Sequence, residues 1–281
     1  MLQNQRLRKN DILTQDTLRS LMRVAVVQTD PIFGEVQSNV QAALALMESV
    51  KADLFVLPEL FNTGYNFVDA EEVRKLSEGA SGFTFQAAKE FAGDRSCYVV
   101  YGFVEKSDRI YNSAVLVGSE GLVGLYRKVH LYDRENLLFT PGNLGFPVFD
   151  LPFGKVGMMV CFDWIYPESA RSLALKGAQL IAHPSNLVLP YCPDAMVTRC
   201  LENRVFAATA NRVGREKRGG YDLRYIGNSE IVSPSGRILS RLGTDEPGIA
   251  LEELDLVEAI NKRINENNDL LTQRRINQYS F

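Results

Sequence analysis

The sequence predicts an α/β protein built as one domain, and three observations carry that prediction. Short apolar runs bounded by Gly or Pro, the pattern of buried strands, alternate with stretches whose apolar residues repeat at helical spacing. No internal repeat, low-complexity tract or linker divides the 281 residues. Apolar content of 46% with 23% charged residues suits a folded core, and a chain of this length buries roughly three quarters of its unfolded surface.

Residues 23–28 and 53–57 read as strands flanking a helix from about Val36 to Val50. In that helix Val40, Ala43, Leu44, Met47 and Val50 form the apolar face, leaving Gln37, Asn39, Gln41 and Glu48 for water. Further strands are expected at 98–103, 113–117, 121–127 and 155–160. A helix over 166–177 follows from Pro167, a favoured first-turn residue, and from Gly177 at its end. Then come a strand at 179–182, a helix from about Ala195 to Asn203 and a strand at 205–210. The segment 225–254 reads as three strands separated by Ser233-Pro234-Ser235-Gly236 and by the turn residues 243–248. Arg215-Glu216-Lys217-Arg218-Gly219-Gly220 reads as a solvated loop.

Composition excludes several function classes. A net charge of −3 without a long basic run gives no footprint for nucleic acid. The cysteines at 97, 161, 192 and 200 form no CxxC pair, and only His130 and His183 could join them, so no metal site is expected. No apolar stretch approaches the 18 residues of a membrane span, and Met1 to Ser20 lacks the apolar core of a signal peptide. A cytoplasmic location with reduced thiols is the simplest expectation. Cys97 and Cys200 read as core thiols, and Cys192 as a loop thiol near a pocket mouth.

Three strands end on reactive side chains. The run Asp53-Leu54-Phe55-Val56-Leu57-Pro58 delivers Glu59, the strand 121–127 delivers Lys128, and 155–160 delivers Cys161. Sheets aim strand-end side chains into crevices, so a carboxylate, an amine and a thiol can share one pocket. Together they supply a base, a cation for an oxyanion and a nucleophile. Taken singly, each has an ordinary structural reading, as a loop carboxylate, a surface cation or a small buried thiol.

Their neighbours decide between those readings. Leu57-Pro58-Glu59-Leu60-Phe61, Tyr126-Arg127-Lys128-Val129-His130-Leu131 and Cys161-Phe162-Asp163-Trp164-Ile165-Tyr166-Pro167-Glu168 resemble the three signature blocks of the nitrilase superfamily, the carbon–nitrogen hydrolases. They occur in the family's order, 69 and then 33 residues apart. The resemblance runs from Arg23 to the C-terminus. It implies an extension over 1–22, a hydrolase domain over 23–260 and a tail over 261–281 that reaches a subunit interface.

The resemblance further implies an αββα four-layer sandwich that dimerises through the helices at 166–177 and 195–203. It assigns Glu59, Lys128 and Cys161 as catalytic, with Glu135 as a second carboxylate either chemical or structural. Phe162, Trp164 and Asn186 would bind substrate, with the backbone N–H of Phe162 as an oxyanion donor. His130 would be a supporting hydrogen-bonding residue, with Asp163 and Glu168 as local partners, and His183 a satisfied core histidine. The expected reaction is hydrolysis of a small aliphatic amide through a thioester, with no cofactor. An aliphatic nitrilase is the alternative, an N-carbamoyl hydrolase stands third, and a non-catalytic scaffold is disfavoured by the presence of all three reactive residues.

Overall fold

Burial along the first strand sets the layering. In β1 (Leu21–Gln28), Met22, Val24 and Val26 point to one side and Ala25 and Val27 to the other, all fully buried. A strand buried on both faces lies inside a layered protein. The computed structural model describes residues 21–79 and 81–280, so the extension expected over 1–22 lies, up to residue 20, outside the described residues. Leu21 and Met22 already belong to β1.

The chain continues through α1 (Val36–Glu48), β2 (Leu54–Val56), α2 (Ala70–Leu76), α3 (Phe83–Arg95), β3 (Tyr98–Lys106), β4 (Ile110–Gly118) and β5 (Gly121–Arg127). After the short α4 (Glu135–Leu138) come β6 (Val148–Leu151), β7 (Gly154–Met158), α5 (Pro167–Leu175), β8 (Leu180–Pro184), α6 (Cys192–Asn203) and β9 (Phe206–Ala210). A hairpin of β10 (Arg215–Arg218) and β11 (Tyr221–Arg224) precedes β12 (Glu230–Val232), β13 (Ile238–Arg241) and β14 (Gly248–Asp255).

Two six-stranded sheets result, ordered β14-β1-β2-β3-β4-β5 and β13-β12-β9-β8-β7-β6. Each has a parallel centre, Val26 pairing with Val56 and Val56 with Val100 in one, Met158 with Ala182 and Ala182 with Ala208 in the other. Val24, Val26, Leu54, Val56 and Val100 turn inward and share a core with Val156, Met158 and Leu180 of the second sheet. Ala25, Val27, Phe55, Val99 and Tyr101 turn outward onto Val40, Ala43 and Met47 of α1 and Ala88 and Phe91 of α3. Ala170 and Leu173 of α5 and Met196 and Cys200 of α6 join the core from the far side. The order of layers is helix, sheet, sheet, helix, and each fully buried Val or Leu contributes about 1.5–3 kcal/mol.

Several elements differ from the sequence reading. Asn39, left for water, is buried, because its amide clamps the preceding turn: Oδ1 accepts from the Ile32 N–H at 2.8 Å and Nδ2 donates to Ile32 O at 2.7 Å. Helix α3 escaped notice because its buried positions Thr84, Ala88, Phe91 and Ala92 carry mostly small side chains. Helix α6 starts at Cys192, which is fully buried rather than an accessible loop thiol. Residues 215–218 are a strand, not a solvated loop, and Glu216 is buried. The tail folds back locally, with Lys262 Nζ donating to Arg204 O at 2.8 Å beyond α6.

Gly102 on β3 lies under the backbone of Glu59. A Cβ there would stand 2.5 Å from Glu59 Cα and 2.9 Å from Leu60 N. Gly102→Ala is therefore expected to cost about 1–3 kcal/mol by overpacking, read from the midpoint of a denaturant melt. An unchanged midpoint would refute the close approach.

Candidate active site

Glu59 leaves the sheet just beyond β2, where Leu57 N–H still bonds Val100 O at 2.8 Å and Gly102 N–H bonds Pro58 O at 3.1 Å. Leu60, at φ +47°, then turns the chain sharply, a conformation that costs a non-glycine residue about 1–3 kcal/mol. The carboxylate is left fully buried, with Asn112 Nδ2 donating to Oε1 at 2.6 Å. Oε2 has no protein hydrogen-bond partner among the described residues.

Lys128 follows β5, its own N–H bonded to Asn112 O at 2.8 Å. The fully buried ammonium bridges two carboxylates, donating to Glu59 Oε1 and to Glu135 Oε1 at 2.7 Å each. Glu135 opens α4 and also accepts from Tyr65 OH at 2.6 Å and from the Tyr132 N–H at 3.1 Å. Burial alone would pull the Lys128 amine down, but Glu135 and Glu59 outweigh it and hold it protonated well above its ordinary range. Burial pushes the Glu135 carboxyl up to about 7, with Lys128 opposing and the Glu59 charge assisting.

Cys161 begins a single 3-10 turn (Cys161–Ile165) beyond β7, with φ +42°. Asp163, fully buried, fastens that turn by accepting from the Val160 N–H at 2.8 Å and Tyr126 OH at 2.6 Å. His183 Nε2 lies 2.9 Å from Cys161 O, so the ring donates there and accepts from Thr209 Oγ1 at 3.1 Å through Nδ1. Burial pushes this imidazole down to about 4, which keeps it neutral. Burial, followed by the Glu59 charge, raises the Cys161 thiol well above its ordinary value, while Lys128 and an Asn186 backbone N–H pull the other way. The thiol opens onto a cleft walled by Tyr132, Phe162, Trp164, Asn186 and Leu187.

The carbon–nitrogen hydrolase family model matches residues 23–263. The chain belongs to the carbon–nitrogen hydrolase family. This hydrolase is 49% identical to a nitrilase of Pyrococcus abyssi over 92% of its own length and 99% of that protein. It is 33% identical to an (R)-stereoselective amidase of a Pseudomonas species, covering 91% and 92% of the two chains. Its fold matches the amidase of Nesterenkonia sp. AN1 at a TM-score of 0.74, with 28% identity over 91% of this chain and 97% of that one. In that amidase structure acrylamide is added at the active-site cysteine.

The hydrolase fold gathers the residues singled out from sequence. Glu59, Lys128 and Glu135 form one hydrogen-bonded chain, and Phe162, Trp164 and Asn186 line the cleft with Cys161. Asn186 also ties the halves together, its Nδ2 donating to Glu59 O at 2.7 Å. His130 Nδ1 bonds Asp163 Oδ1 at 2.8 Å, and its ring stacks 3.8 Å from that of Tyr166. Glu168 is exposed on α5, so Asp163 alone is buried as a local partner. Sequence reasoning missed Tyr65 and Asn112, whose hydrogen bonds fix Glu135 and Glu59. A polar residue at the head of an apolar strand was the available signal for Asn112.

Proposed function

We propose that this hydrolase is a cysteine-dependent amidase that releases ammonia from a small aliphatic amide through a thioester. The observation that carries the reading is the fully buried Lys128 ammonium held between Glu59 and Glu135 beside a neutral buried thiol. Because burial keeps Cys161 protonated, attack requires proton removal as the Sγ–C bond forms. Glu59 takes that proton on Oε2, the oxygen left without a protein partner. Lys128 is too firmly protonated to be a base, so it serves with the Phe162 N–H as the site for the tetrahedral oxyanion. The leaving nitrogen recovers the proton from Glu59, and the C–N bond breaks. Water then attacks the thioester, giving its proton to Glu59 while Glu135 holds Lys128 in place; the C–S bond breaks, the carboxylic acid leaves and Glu59 returns the proton to the Cys161 sulfur.

The sequence relative named a nitrilase supports a second reading, in which a nitrile is the electrophile. A nitrile gives a thioimidate whose nitrogen must be protonated before water adds, whereas an amide uses the oxyanion site from the first step. We therefore expect a higher kcat/KM for a short aliphatic amide than for the nitrile with the same carbon chain. Ammonia release across matched pairs measures it, and the reverse ranking at several chain lengths would select the nitrilase reading. N-carbamoyl substrates belong in the same panel as the third reading.

The remaining proposals follow the family. A homodimer formed through α5 and α6 accounts for the exposed apolar side chains Ile165, Tyr166, Leu175 and Leu201 on that side, with residues 261–280 reaching the interface. A cytoplasmic setting suits four unpaired cysteines. Among the described residues no helix is long and apolar enough to cross a membrane.

A further inference from the structure

Glu216 is an acidic residue in an unexpected place. It projects from β10 into the interior, where its carboxylate accepts from Asn66 N–H at 2.7 Å, from Tyr65 N–H at 3.2 Å and from Tyr225 OH at 3.1 Å. Its charge is met by Arg212, which is 1% exposed, donates to Pro31 O at 3.1 Å and lies 4.0 Å over the Tyr225 ring. A buried ion pair adds little stability over apolar packing, so its geometric effect is the more informative one. Here that effect falls on two successive N–H groups of a single loop. The loop has no slack, since Gly64 stands at φ +80° and a Cβ on it would meet Glu216 Oε1 at 2.8 Å. Arg218 adds a further tie from the same hairpin, NH1 donating to Asn66 O at 2.9 Å.

Clamping this loop fixes the direction of Tyr65. Its hydroxyl donates at 2.6 Å to Glu135 Oε1, the same oxygen that receives Lys128 at 2.7 Å. We infer that Tyr65 is a positioning residue for the Glu135–Lys128–Glu59 chain, and that the buried Glu216–Arg212 pair holds it in place. The inference rests on the catalytic reading proposed for that chain. Tyr65 is half-buried, and desolvation of its phenol beside the Glu135 and Glu59 charges keeps it protonated and able only to donate to Glu135. The groups facing Glu135 are Lys128, Glu59, Tyr65 and the Tyr132 N–H, with Cys161 nearby and Asp133 and Arg134 lining the neighbouring pocket that Glu135 shares with Tyr65. Of these, Tyr65 and Lys128 favour the carboxylate form, while burial and Glu59 oppose it.

Removing the hydroxyl should therefore loosen Lys128 and make Glu135 harder to ionise. Tyr65→Phe is expected to lower kcat about tenfold, the loss typical of one hydrogen bond to a charged group, with KM nearly unchanged. The acidic limb of the kcat/KM profile should move to higher pH, a change that a purely structural tyrosine would not produce. Glu216→Gln should lower kcat in the same direction. The double variant Tyr65→Phe/Glu216→Gln should be no slower than Tyr65→Phe alone, because Glu216 acts through Tyr65. Circular dichroism and melting curves accompany each variant. Should Glu216→Gln not fold, Tyr65→Phe compared with Glu135→Gln carries the test, since it removes one oxygen only. A crippled Glu135→Gln beside a Tyr65→Phe of wild-type kcat and pH profile would overturn the inference, as would additive losses in the double variant. Near wild-type turnover in Glu135→Gln and Lys128→Ala would instead sink the catalytic reading, and this inference with it.

Discussion

Cys161→Ala is expected to reduce turnover by on the order of ten-thousandfold or more, the scale seen when a covalent nucleophile is deleted from an otherwise complete site. The fold should be unaffected, because Asp163 and His183 grip the backbone on either side of the thiol. Intact mass during turnover, or after iodoacetamide, should place the adduct on Cys161 before any other cysteine. Cys97, Cys192 and Cys200 are buried with raised thiols, and none of the three lines the cleft onto which Cys161 opens. Turnover surviving in Cys161→Ala would end the covalent reading.

Lys128→Ala carries the second large effect, and it falls on stability as well as chemistry. Loss of an oxyanion donor typically costs about a hundredfold or more in kcat. The effect on the fold follows from what the ammonium neutralises. Removing the ammonium leaves Glu59 and Glu135 buried and facing each other without a cation, a change worth about 3–5 kcal/mol. The loss should depend on pH in a definite direction. Glu135 stands at about 7 with Lys128 present, above an unfolded carboxyl near 4.3, and without Lys128 it rises further. A carboxyl raised in the folded state leaves stability intact below its unfolded value and subtracts from it as pH climbs through the folded value. The variant should thus melt higher at pH 5 than at pH 8. A melting temperature equal to wild type at both pH values would show that the two carboxylates do not need Lys128, and Glu59→Gln then becomes the cleaner test of the chain.

The sequence by itself determined most of the strands of the two sheets and the three reactive residues that follow them. Short apolar runs and Gly or Pro punctuation are local properties, so β1, β2, β5 and β7 could be read from a few neighbouring residues each. The reactive residues were legible for the same reason, because each follows within three residues of the end of one of these strands. Tertiary structure alone decided what surrounds them. Asn112 reaches Glu59 across 53 residues, Tyr65 reaches Glu135 across 70, and Glu216 reaches Asn66 across 150. Each contact depends on sheet register and on a loop folding over the strand ends, and neither leaves a periodic mark in the chain. The hairpin at 215–224 is the plainest case. Its charges read as solvated because nothing local separates a surface glutamate from one that buries itself against a distant arginine and a loop of backbone N–H groups.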